Sequence, residues 1–132
     1  MGVDLLAMKK ILVVDDNTIN LKLADKILKE NPDYKPVMVP SGARALQFLS
    51  KNVPDMILLD IMMLDMDGFE TLTKIRADER LKEVPVLFLT ADTEPETADK
   101  VKAAGGLDML TKPFKKDNLL DLVAKYMPGE DA

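Results

Sequence analysis

The sequence contains no cysteine and no histidine. Without cysteine there is no disulfide, no thiolate zinc site and no cysteine nucleophile. Without histidine there is no imidazole for acid–base chemistry or for binding a metal. No apolar run approaches the roughly 20 residues that cross a bilayer, and the opening MGVDLLAMKK is too short and too acidic for a secretion signal. A basic excess is missing as well. The net charge is −5, with both signs mixed along the chain, which argues against a face that neutralises nucleic-acid phosphates. What remains for chemistry is carboxylates, hydroxyls, lysines, backbone groups or a bound ion. A cytoplasmic protein with neither membrane nor nucleic acid as a direct partner is expected.

At 132 residues the chain is long enough for one domain, able to bury roughly two-thirds of its unfolded surface without a staple. Short apolar runs alternate with amphipathic segments. Ile11–Val14 reads as a buried strand, with the shorter Val37–Val39, Met56–Leu59, Val86–Leu89 and the weaker Leu107–Leu110 as further strands. Between them, helical spacing predicts five helices. The first is capped from Asp16, Asn17 and Thr18, with Ile19, Leu23 and Ile27 on its inner face. The second is capped by Ser41 and buries Ala45, Leu46 and Leu49. The third opens at Gly68 and carries Phe69, Leu72 and Ile75. The fourth has Pro95 in its first turn, Ala98, Val101 and Ala104 inward, and Gly105-Gly106 as its stop. The last carries Leu119, Val123 and Tyr126. Five βα units imply an α/β domain, a doubly wound parallel sheet with helices on both faces. The expected division is an N-terminal leader over residues 1–8, the domain over 9–127 and a frayed tail over 128–132.

Ligands of open parallel sheets bind at the carboxyl ends of the strands. Strand one delivers Asp15 and Asp16 there, strand three Asp60, strand four Thr90 and strand five Lys112. Each residue alone has a plain structural reading. Asp15 and Asp16 suit a helix cap, Asp60 a turn, Thr90 a local hydroxyl–backbone bond, and Lys112 a surface position held extended by the following proline. Five such accidents at one sheet edge are a poor explanation. Three carboxylates that close repel one another, and a divalent cation with oxygen ligands relieves the repulsion. A carboxylate can attack phosphorus to form an acyl phosphate, with the metal, Lys112 and Thr90 stabilising the phosphoryl oxygens. Asp65 and Asp67 read as solvated loop carboxylates. Met62, Met63 and Met66, in the same loop, include candidates for exposed contacts with a kinase.

The segments ILVVDDN, MILLDIMMLDMDGFE, VLFLTA and LTKPF, in that order and at these intervals, resemble the receiver domain of two-component response regulators over residues 9 to about 127. The resemblance implies a flavodoxin-like (βα)5 fold of five parallel strands in the order 2-1-3-4-5. It implies that Asp60 is the phosphoacceptor and that Mg²⁺ is the cofactor, held by Asp16, Asp60 and the Met62 backbone carbonyl, with Asp15 acting through a water. It implies phosphoryl binding and switching by Thr90, Ala91 and Lys112, with Met109 at the switch position. Gly68 and Pro113 would shape the site, and the Lys112-Pro113 bond would be cis. The implied partners are a histidine kinase or phosphotransfer protein, and a downstream protein reached through the fourth helix, fifth strand and fifth helix.

Two positions depart from the family's pattern. Leu64 stands where a proline is usual, and Met109 where the switch residue is usually aromatic. The first reading is therefore a phosphorylation-dependent signalling switch that acts catalytically only on its own phosphorylation and dephosphorylation. It is expected either as a stand-alone regulator or as part of a longer chain. A Mg²⁺-dependent phosphohydrolase with an aspartyl nucleophile is one alternative, although Met62 occupies the place where such an enzyme carries its acid–base carboxylate. A receiver-like scaffold that works without phosphorylation is the other.

Overall fold

A computed structural model of the chain describes residues 8–127, so residues 1–7 of the expected leader and the expected tail, 128–132, lie outside the described residues. The elements follow one another as β1 (Lys9–Val14), α1 (Thr18–Leu28), β2 (Tyr34–Val39), α2 (Gly42–Leu49), β3 (Met56–Asp60), α3 (Gly68–Arg76), a 3₁₀ turn at Glu79–Leu81, β4 (Val86–Thr90), α4 (Pro95–Ala104), β5 (Asp108–Thr111) and α5 (Lys116–Tyr126). All four strand pairings are parallel, and the sheet order is β2-β1-β3-β4-β5. This is the expected flavodoxin-like fold.

Strand side chains alternate between faces, and here the alternation divides the core in two. Ile11, Val13, Met56, Leu58, Leu87 and Leu89 meet α1 and α5 on one face. Leu12, Val14, Ile57, Leu59, Val86 and Phe88 meet α2, α3 and α4 on the other. Continuous β-branched and aliphatic runs are what a sheet covered on both sides demands.

Several local expectations change. The inner face of α1 is Leu21, Ala24, Ile27 and Leu28, whereas Ile19 is 76% exposed and Leu23 borders solvent. Of the 19-23-27 line only Ile27 is covered, and the sheet meets the helix one step round, at 21-24-28. β2 is longer than Val37–Val39, beginning at Tyr34. Leu46, Phe69 and Ala98 are only partly buried, while Thr97 takes the inward place at the start of α4. Leu107 is exposed and precedes β5. The α4 stop is as read, with Gly105 at φ +94, in the left-handed region that glycine adopts without strain.

Candidate functional site

The site is built by four strand ends and the loop after β3. β1 terminates at Val14 because two aspartates and an asparagine follow it. Asn17, not an aspartate, caps α1, its side chain accepting from the Ile19 and Asn20 N–H groups at 2.9 and 3.3 Å. That releases both aspartates from capping. Asp15 is buried and accepts from the Asn17 N–H at 2.9 Å, from the Asn20 side-chain amide at 3.2 Å and from Lys112 at 2.8 Å. Asp16 is exposed, and its Oδ2 accepts from the Leu64 N–H at 3.1 Å.

Asp60 ends β3 almost completely buried, paired with Lys112 Nζ at 3.0 Å. Burial is the largest influence on its carboxyl. Together with the charge of Asp15, and against the hydrogen bond from Lys112, it pushes the pKa up from about 3.8 to about 6. Burial works against the Lys112 charge too, but bonds to Asp15 and Asp60 outweigh it and hold that ammonium above its ordinary pKa. Asp15, Asp16 and Asp60 each present an oxygen within 4.8 Å of the others.

Thr90 is also buried, and its hydroxyl accepts from the Asp92 N–H at 2.9 Å. Asp92 in turn accepts from the Glu94 N–H and, at 2.6 Å, from the Thr97 hydroxyl, which ties the end of β4 to the first turn of α4. Lys112 follows β5 directly, its N–H donating to the Thr90 carbonyl at 2.7 Å, and the Lys112-Pro113 bond is cis as expected. Ala91 lies exposed at the rim. Met109 is half-buried on β5, packed against the cluster that contains Phe88 and Val101.

The loop after Asp60 turns back tightly. The Gly68 N–H donates to the Ile61 carbonyl at 2.8 Å, and a Cβ on Gly68 would meet the Asp60 carbonyl at 2.5 Å, so only glycine fits. Two loop carboxylates are not merely solvated. Asp65 accepts from the Gly42 and Ala43 N–H groups at the start of α2, and Asp67 caps α3 through the Glu70 N–H at 2.8 Å. Among the loop methionines, Met62 is 73% exposed, whereas Met63 packs against the core. The Asp65 contact and the Asp16–Leu64 bond have no local sequence signal, because both join segments far apart in the chain.

Three carboxylates, an ammonium and a buried hydroxyl thus meet at one end of the parallel sheet. The sequence family described as the response regulator receiver domain matches residues 11–124, and the chain belongs to it. The protein is thus a receiver domain of the two-component type, with an acidic pocket. It is 27% identical to the polar-differentiation response regulator DivK of Brucella ovis over 119 residues, 90% of this chain and 96% of that protein. It is 33% identical over an equal length to the signal transduction histidine-protein kinase BarA of Shigella flexneri, of which it spans 13%. In structure it resembles the chemotaxis protein CheY4 of Vibrio cholerae, with a TM-score of 0.85 and 33% identity over 92% of this chain and 100% of the other. The receiver domain of the sensor histidine kinase PA1611 from Pseudomonas aeruginosa, which has magnesium coordinated in its active-site cleft, is 30% identical. Its TM-score is 0.82, over 91% of this chain and 98% of that one. Among the described residues, no helix is long and apolar enough to cross a membrane.

Proposed function

We propose that the protein is a phosphorylation-dependent signalling switch whose phosphoacceptor is Asp60. The observation that carries this reading is the Asp15–Lys112–Asp60 bridge: a buried carboxylate held at a strand end by a single ammonium shared with a second carboxylate. Lys112 offsets only one of the three negative charges in the pocket, and every donor there is a hard oxygen. A divalent ion such as Mg²⁺ fits that set. Asp16, Asp60 and the Met62 carbonyl would hold it, with Asp15 acting through a water. When bound, the ion would neutralise charge on the phosphoryl oxygens.

In transfer from a phosphohistidine, an Asp60 oxygen forms a bond to phosphorus while the phosphorus–nitrogen bond breaks, its electron pair returning to the ring. Lys112 steadies the phosphoryl oxygens as a point charge, and Thr90 turns its free hydroxyl proton toward one of them. Ala91 lines the approach, and Gly68 and Pro113 give the loops their course. The donor is a histidine kinase or phosphotransfer protein, and the exposed Ile19, Met62 and Leu64 around the acidic mouth suit docking by such a protein. The signal leaves through the face of α4, β5 and α5, in the cytoplasm. Nothing favours a hydrolase, since the residue two places after Asp60 is an exposed methionine. The test is mass spectrometry after incubation with a small acyl phosphate and Mg²⁺. One phosphoryl group on Asp60, absent in Asp60→Asn, is the expected result; equal labelling of the variant overturns the assignment.

A further inference from the structure

Leu64 is 98% exposed, yet its backbone reaches across 48 residues to Asp16. We infer that the Leu64 N–H is a positioning group for the metal pocket, holding Asp16 in the orientation from which it binds a divalent cation. The inference rests on the proposed role of Asp16. Of the three clustered carboxylates, Asp15 is held by Lys112, Asn17 and Asn20, and Asp60 by Lys112. Asp16 is the exposed member, and among the described residues its carboxylate has one hydrogen bond, the one from Leu64. Without it, a surface carboxylate samples several rotamers and loses that freedom on binding an ion. With it, one oxygen is occupied by the N–H while the other stays available.

The bond also closes a short circuit. Leu64 lies two residues beyond Met62, whose N–H approaches Asp60 Oδ1 at 3.4 Å. A tie at Leu64 therefore fixes the separation between β1's aspartates and the loop that follows β3. Proline at position 64 could not do this, because it has no N–H. The departure from the family's usual proline is thus a change in the donors around the metal pocket rather than in its surface.

The experiment is titration with Mg²⁺, followed through the amide resonances of residues 15–17 and 60–66, of the full chain and three variants. Leu64→Ala keeps the N–H and is expected to bind within about twofold of the unaltered chain. Leu64→Pro is expected to bind about tenfold more weakly, the lower end of what loss of an orienting partner costs a metal site. The third variant replaces the Leu64 amide by an ester. It removes the N–H while keeping side chain and backbone freedom, so a matching loss excludes a proline-induced distortion. Pro and ester variants that bind as tightly as the unaltered chain, or more tightly, overturn the inference while leaving the metal reading standing. An unaltered chain that binds no Mg²⁺ overturns both.

Discussion

Midway along β1, β3 and β4 the side chains are Ile, Leu, Val and Phe, each 1% exposed or less. At the carboxyl ends of the same strands they are Asp15, Asp60 and Thr90, buried almost as deeply. Equal burial has opposite consequences in the two places. An apolar side chain gains about 25 cal/mol for each Å² removed from water, whereas an ionised carboxylate loses hydration that one shared ammonium only partly replaces. The middle of the sheet is where stability is made. The end is where some of it is given up to hold two carboxylates, a hydroxyl and a single ammonium close together and away from water.

The sharpest way to separate the two regions is to damage each and compare. Phe88 fills the space between β4, α3 and α4, packed on Phe69 at 5.1 Å between ring centres. Phe88→Ala is expected to cost about 3–5 kcal/mol by urea unfolding. A cost below 1 kcal/mol would show that this face collapses around the lost ring.

Asp60→Asn is expected to act in the other direction, raising stability by about 3 kcal/mol at neutral pH. The native state binds the Asp60 proton more tightly than the unfolded chain does, so stability should fall as pH rises from about 4 to about 6, with the cost complete above that. Unfolding curves across this range should lose that component in Asp60→Asn. A steeper fall in the variant would mean that Lys112 more than compensates the burial of Asp60.

The smallest effect is expected at Met109, where the middle meets the end. A flexible thioether has no ring to hold one of two defined positions, so Met109→Tyr should leave Asp60 labelling unchanged and stability altered by less than about 1 kcal/mol. It should enlarge the amide shifts over residues 92–110 when beryllofluoride and Mg²⁺ are added. Equally large shifts in the unaltered chain would show that the relay runs elsewhere; the Thr90–Asp92–Thr97 connection to α4 is the alternative route.

The fold was legible because its signals are local. Ile11–Val14, Met56–Leu59 and Val86–Leu89 are each continuous apolar runs ending at a polar residue, and each is a strand buried on both faces. Ser41 and Pro95 mark helix starts where read. On α1, Ile27 is buried as expected but Ile19 and Leu23 are not, because the 19-23-27 line satisfies helical spacing as well as Leu21, Ala24 and Leu28 do. Periodicity identifies a stripe, but the packing angle on the sheet selects which stripe is covered. The gathering of Asp15, Asp16, Asp60 and Lys112 at one edge of the sheet was legible from the rule that parallel sheets present ligands at their carboxyl ends.

By itself, then, the sequence determined the run of elements, the two-sided burial of the strands and the kinds of residue carried to one edge of the sheet. These depend on side-chain chemistry and spacing along the chain. The strand order came only by resemblance, since pairing partners are not encoded in spacing. Tertiary structure alone decided that Lys112 lies between Asp15 and Asp60 and that Asn17 takes over the cap from its neighbouring aspartates. It also decided that Asp65 meets the start of α2 and that an otherwise exposed Leu64 reaches Asp16. A hydrogen bond or ion pair needs two groups within about 3 Å of each other, and for groups 48 residues apart only the folded chain supplies that distance.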